Sequence, residues 1–216
     1  MEGIIIKVMD YKEYDRLLFM YTEEGRITLV AKGANKLNNE TRALSQYLNL
    51  ISFKEVNDKT MYNLMEAKLI NSFSNLKNDY NLLNTASIMF DLLNLFIMDN
   101  DDHKNVYNLL KDALINFKIG NELSFGFKLL NIIGYGLNLK PEKKNPKGFN
   151  ISLGRLIYED EDYLIDLSLA HTLILLKLTF MSYDKIEEVV LKDYQVLKQF
   201  MYDYYEYHTD TKIKRK

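Results

Sequence analysis

The hydrophobic period of the chain changes near residue 75, and this change restricts the fold more than any other feature. Before it, apolar residues alternate or run in short β-branched stretches, as in "GIIIKVM", "DRLLFMYT" and "RITLVAK". The last two flank "EEG", where Gly25 can take the positive φ that closes a short hairpin with a bulge. "QYLNLISFKEV" and "TMYNLMEAKLI" flank a second turn, "NDK". Five strands with a polar connection at residues 34–45 predict a small closed or nearly closed barrel, because closure removes exposed strand edges. After residue 76 the period becomes helical. In "HKNVYNLLKDALINFK", Val106, Leu109, Leu110, Ala113, Leu114 and Phe117 share one helical face. "DYNLLNTASIMFDLLNLFIM" behaves similarly, with Asp79 placed to cap it, and "ELSFGFKLLNIIGYG" reads as a helix stopped by its glycines. Both prolines, Pro141 and Pro146, fall in "LKPEKKNPKGFNISLGRLIYEDED", read as loop or short irregular strand. Residues 167–181 and about 184–208 are helical again. The expected architecture is α+β: a five-stranded barrel over 1–75, then a helical domain over 76–216 with an irregular insert at about 139–163.

Charge and cysteine content narrow the chemistry. With 28 cations against 30 anions the net charge is −2, so binding to a polyanion must come from local clustering. The chain has no cysteine, which removes disulfides, thiolate metal sites and thiol nucleophiles. His103, His171 and His208 are widely separated, so neither a zinc site nor any other cofactor is expected. No window reaches the ~18 uninterrupted apolar residues of a membrane helix. The N-terminal apolar run is too short for a signal peptide, and a cytoplasmic protein is expected.

The segment from Asp10 to Lys36 invites two functional readings. Its carboxylates, Asp10, Glu13, Asp15, Glu23 and Glu24, resemble a metal-nuclease cluster, but turns and strand connections ordinarily contain such residues. They are read here as structural. The cations are the better lead. Period two sets Arg26, Thr28 and Lys32 on one face, opposite Ile27, Leu29 and Ala31, with Val30 an apolar exception. By the same alternation Lys7 points away from Ile4, Ile6 and Val8. Lys36 and Arg42 follow in the connection. Such a strip can track phosphates, each neutralised phosphate adding affinity through counterion release. Tyr11, Tyr14, Tyr21, Tyr47 and Tyr62 are available for stacking, although core or rim packing is the commoner role of strand aromatics. Secondary basic contacts are Lys140, Lys143, Lys144 and Lys147. The tail "KIKRK" reads as a mobile, solubilising end.

The order of residues in "GIIIKVMDYKEYDRLLFMYTEEGRITLVAKGA" closely resembles the N-terminus of the bacterial RecO family of DNA-repair and recombination-mediator proteins. The matching positions are Asp10-Tyr11, Glu13, Asp15-Arg16-Leu17-Leu18, Thr22, Gly25-Arg26-Ile27 and Val30 to Ala34; "LMEAKLINSF" and "IIGYGLNL" fit later landmarks. The resemblance implies an N-terminal oligonucleotide-binding (OB) barrel followed by a helical domain. It further implies binding of single- and double-stranded DNA, annealing of complementary strands, and no catalysis. The implied partners are RecR, the C-terminal tail of single-strand-binding protein and, indirectly, RecA, with nucleoid association during repair. The DNA contacts it favours are Lys7, Arg26, Lys32, Lys36 and Arg42. Arg16 either joins them or pairs with Asp10, Glu13 or Asp15. Some members carry a four-cysteine zinc module where this chain has none of the ligands, so packing through Phe149, Ile151, Leu156 and Ile157 is expected to hold that segment. Rival readings are an RNA-binding or ribosome-associated factor, and an adaptor that binds only protein.

Overall fold

The computed structural model describes residues 1–54, 62–115, 117–142 and 145–215. Lys143 and Lys144 lie outside the described residues. The chain forms two compact units, one of Met1–Leu83 with Ile97–Ile115, the other of Asn84–Phe96 with Asn116–Lys216.

The first unit is built on β1 (Glu2–Tyr11), β2 (Asp15–Thr22), β3 (Gly25–Ala31), β4 (Leu50–Ser52), β5 (Tyr62–Asn63) and β6 (Lys68–Asn71). Among the described residues they make one sheet of order β5-β3-β2-β1-β4-β6. Gly25, at φ 107°, closes the β2–β3 hairpin, and the Thr22 hydroxyl donates to its carbonyl at 2.9 Å. The fifth expected strand is two strands. Glu66 sits at φ 51° and interrupts it, so β5 runs parallel beside β3 while β6 pairs antiparallel with β4. These strands stand at opposite edges of the sheet, yet only residues 64–67 separate them. A flat six-stranded sheet would set its edges about 24 Å apart. Five chain steps reach at most about 18 Å, so the sheet is curled. Its concave side holds Ile5, Leu18, Met20, Leu29, Ala31, Ile51 and Phe53. In β1 strand alternation fails at a bulge between Ile5 and Lys7, so Lys7 shares its face with Ile4 instead of opposing it.

Two short helices, α1 (Thr41–Leu44) and α2 (Ser74–Lys77), precede α3 (Tyr80–Phe96), which Asp79 caps by accepting from the Asn81 and Leu82 amides at 2.8 and 3.1 Å. α4 (His103–Leu114) packs on β2 and β3 through Val106, Tyr107, Leu110 and Ala113. His103 Nε2 donates to the Asp99 carbonyl at 3.2 Å, which leaves Nδ1 to accept from the Tyr21 hydroxyl at 3.1 Å. Burial pushes the Tyr21 hydroxyl well above its ordinary range, so it remains a donor.

The second unit contains α5 (Asn121–Ile132), β7 (Pro146–Asn150), β8 (Arg155–Tyr158), β9 (Leu167–Ser168), α6 (Leu169–Phe180) and α7 (Leu191–Thr209). α5 is its central helix, with Asn121 to Phe127 all buried. It ends as the glycines predict. Gly134 takes φ 85°, and the Tyr135 amide donates back to Leu130 at 2.8 Å. The described part of the expected irregular insert contributes strands, and the unit is therefore not all-helical: β7 to β9 form a sheet of order β8-β7-β9. Phe149, Leu156 and Ile157 are buried in it, whereas Ile151 is only half-buried. A charge clasp ties β8 to the turn that follows it. Arg155 donates to both Glu161 carboxylate oxygens, at 3.0 and 2.7 Å, and the Tyr158 amide donates to the same carboxylate at 2.9 Å. Glu161→Gln halves the clasp's charge. It is expected to cost about 1–2 kcal/mol, read as a lower urea midpoint.

Two further expectations change. α7 begins at Leu191 instead of near 184, because Val189 packs extended against Gly120 and its amide donates to the Ile119 carbonyl. The C-terminal tail is docked. Ile213 is buried, and Arg215 binds Asp203 and Glu206 at 2.9 and 2.8 Å.

Candidate nucleic-acid interface

Register places the first unit's outward side chains in rows. One row is Lys7–Phe19–Thr28, the next Met9–Leu17–Val30, and Tyr11 pairs with Asp15 at the end. α4 covers the Tyr21 end of this surface, while Met9 stays 44 % exposed. Aromatic rings underlie the cations here. The Lys7 ammonium lies 5.3 Å from the Phe19 ring centre, Lys12 lies 5.2 Å from Tyr11, and Lys36 lies 4.9 Å from Tyr14. Each contact is worth about 0.5–1 kcal/mol at an exposed site.

The sequence-predicted cations divide by their surroundings. Lys7, Lys32 and Lys36 are exposed on or beside this face. Arg42 is half-buried on α1. Arg26 is exposed at the surface but engaged, its Nη1 donating to the Ile97 carbonyl at 2.9 Å and its guanidinium lying 5.8 Å from the Tyr21 ring centre. Arg16 takes the loop-holding role, donating to Asn35 Oδ1 at 2.7 Å, with Asp10 at 3.7 Å. Lys140 and Lys147 belong to the second unit. Lys140 is exposed, and Lys147 donates to the Glu161 carbonyl at 2.6 Å.

The carboxylates are committed to backbone and loop. Asp15 Oδ1 accepts from the Gly33 amide at 2.8 Å, and Asp10 Oδ1 accepts from Asn35 Nδ2 at 3.0 Å. Gly33 has φ 68°, and a Cβ there would stand 2.5 Å from Asn39 Nδ2. Residues 32–39 are thereby pinned against the β1–β2 turn.

Sequence reasoning missed Phe19, Lys12 and Asn35. Phe19 was recoverable, since it alternates with core residues Leu18 and Met20 and so shares the outer face. Lys12, at φ 53° in the β1–β2 turn, and Asn35 carried no periodic signal.

Residues 1–73 match the family described as "Recombination protein O N terminal". This N-terminal segment belongs to the RecO N-terminal family. Among its relatives, DNA repair protein RecO of Clostridium perfringens is 37 % identical over 142 residues, covering 62 % of this chain and 58 % of the relative. The protein of the same description from Mycoplasma capricolum is 31 % identical, covering 64 % and 59 %. That from Mycoplasma mycoides is 28 % identical over 229 residues, covering 95 % and 90 %. The match spans about three fifths of the clostridial relative's length and nearly all of the M. mycoides relative's. The surface described above lies within the part that matches the RecO N-terminal family. No described helix is long and apolar enough to cross a membrane.

Proposed function

We propose that the chain is a DNA-binding recombination mediator of the RecF pathway, which anneals complementary strands and helps load RecA on DNA coated by single-strand-binding protein. The observation that carries this is the outer face of β1 to β3 with its adjoining loops, where the ammonium groups of Lys7, Lys12 and Lys36 lie over aromatic rings within the family-matching region. Lys7, Lys32 and Lys36 neutralise phosphates, with Arg42 and exposed Arg26 at the margins, and Phe19 and Tyr11 stack bases. Neutralising both strands lowers their repulsion while base edges stay free to pair, so no covalent step is needed. Lys140, Lys143, Lys144 and Lys147 are secondary contacts.

The pairing pattern supports reading the sheet as a five-stranded OB barrel whose last strand is broken at Glu66. That strand pairs with β3 on one side and with β4 on the other. On this reading residues 1–75 are the DNA-binding domain and 76–216 the partner-binding domain, in a cytoplasmic, nucleoid-associated protein. RecR and the acidic, apolar-ended tail of single-strand-binding protein are the proposed partners. Two features of the second unit suit such a tail: the exposed Leu169, Leu173, Leu176 and Phe180 of α6, and a cavity of about 220 Å³ bordered by Ile174, Leu178, Ile186, Lys177 and Lys185.

The test is strand annealing on oligonucleotides precoated with the cognate single-strand-binding protein, alongside equilibrium binding across salt. Lys7→Gln, Lys32→Gln and Lys36→Gln together are expected to weaken single-stranded DNA binding ~10–100-fold near 0.1 M salt. The log–log salt slope should fall by about 0.7 per lysine. Unchanged affinity and slope would leave a protein-only adaptor, and a strong preference for structured RNA would favour an RNA-binding factor.

A further inference from the structure

We infer that Asn35 is the positioning residue of this interface, an inference that rests on the nucleic-acid reading above and concerns how the lysines are presented. Asn35 lies in the connection after β3 and is half-buried. Its amide donates to the Tyr14 carbonyl at 2.9 Å. Its Nδ2 donates to Asp10 Oδ1 at 3.0 Å and to the Asp15 carbonyl at 3.3 Å, and its Oδ1 accepts from Arg16 Nε at 2.7 Å. The side chain therefore joins the end of β1 and the start of β2 to the β3–α1 connection, and the backbone amide of the same residue adds the β1–β2 turn. The Gly33 amide adds a parallel tie to Asp15 Oδ1.

Two consequences bear on a polyanion. First, Asp10 and Asp15 receive donors locally, and the Arg16 guanidinium lies 3.7 Å from Asp10, so the acidic turn is partly compensated beside the basic strip. Second, Lys32 and Lys36 bracket the tie in sequence. Tyr14, whose carbonyl takes the Asn35 amide, also places its ring under the Lys36 ammonium. Fixing the middle of this connection during folding removes an ordering cost that binding would otherwise carry. Asn35 touches no phosphate in this scheme; it acts through the lysines.

The experiment measures binding of the full chain to a fluorescent oligothymidylate across a salt series, with stoichiometric titration to count competent molecules. Asn35→Ala is expected to weaken binding about tenfold while leaving the salt slope at the wild-type value, because every lysine is still present. The binding stoichiometry should also be unchanged, which separates lost positioning from partial unfolding. Asn35→Asp alone sets a carboxylate against Asp10 and is expected to weaken binding similarly. The exchange Asp10→Asn with Asn35→Asp keeps net charge, restores the bond between positions 10 and 35 with its sense reversed though not the one to the Asp15 carbonyl, and should recover part of the affinity. Wild-type affinity in Asn35→Ala, or an exchange variant that folds yet stays as weak as Asn35→Asp, would overturn the inference. If the lysine variants above bind as wild type, the interface itself falls, which is a separate result.

Discussion

Phe149→Ala is expected to destabilise the second unit by about 3–5 kcal/mol, enough to leave a marginal domain partly unfolded at 37 °C. The ring is fully buried on β7 and meets Phe200 edge-on at 5.6 Å and Tyr204 at 6.1 Å. Phe200 in turn reaches Phe127 on α5 at 6.3 Å, so Phe149 ties the small sheet to α7 directly and to α5 through Phe200. Truncation leaves a cavity that the neighbouring Phe200 and Tyr204 rings cannot refill by small shifts. Urea unfolding followed by far-ultraviolet circular dichroism measures the loss. A change under about 1 kcal/mol would mean that the sheet is held chiefly by its charge clasp.

Glu122→Gln is expected to stabilise the protein at alkaline pH. Glu122 opens α5 and is completely buried; its Oε2 accepts from the Gly120 amide at 3.0 Å, and Tyr194 lies beside it. Burial raises the carboxyl from an ordinary 4.5 to about 7, with the Gly120 amide, Tyr194 and the Lys198 ammonium offsetting only part of the effect. Because the folded value lies above the unfolded one, the native state holds a proton that the unfolded chain has released between those two values. The contribution is fully present below about pH 4.5 and declines by about 1.4 kcal/mol per pH unit until it is lost above about pH 7. The glutamine variant has no such slope. At pH 8 it should exceed wild type by on the order of 3 kcal/mol, and near pH 4.5 the two should agree. Stability curves that run parallel from pH 4.5 to 8 would refute this.

How much of the molecule was legible in its sequence depended on how local the cause was. Gly25, Asp79 and the glycines after α5 act on neighbouring backbone, and each was placed correctly. Alternation in β3 put Ile27, Leu29 and Ala31 on the core side for the same reason. The break at Glu66 was not legible, since nothing in "NLMEAK" demands a left-handed residue; strand pairing at both sheet edges imposes it. The bulge after Ile5 and the extended run before α7 likewise answer to distant partners. In the candidate site, local charge singled out Lys7, Lys32 and Lys36, which are exposed in the structure. It could not reveal that Arg16 is held by Asn35, or that Arg26 reaches the Ile97 carbonyl, because those contacts join positions 19 and 71 residues apart.

The Arg155–Glu161 pair has a consequence for where such a protein can operate. A guanidinium locked onto a carboxylate contains nothing for peroxide to oxidise and nothing for a chelator to extract. The turn it holds after β8 should therefore keep its shape under oxidative stress and metal starvation, conditions that would release a zinc ion from four thiolates. Strong acid is the challenge it should fail, because protonating Glu161 removes the negative half of the lock.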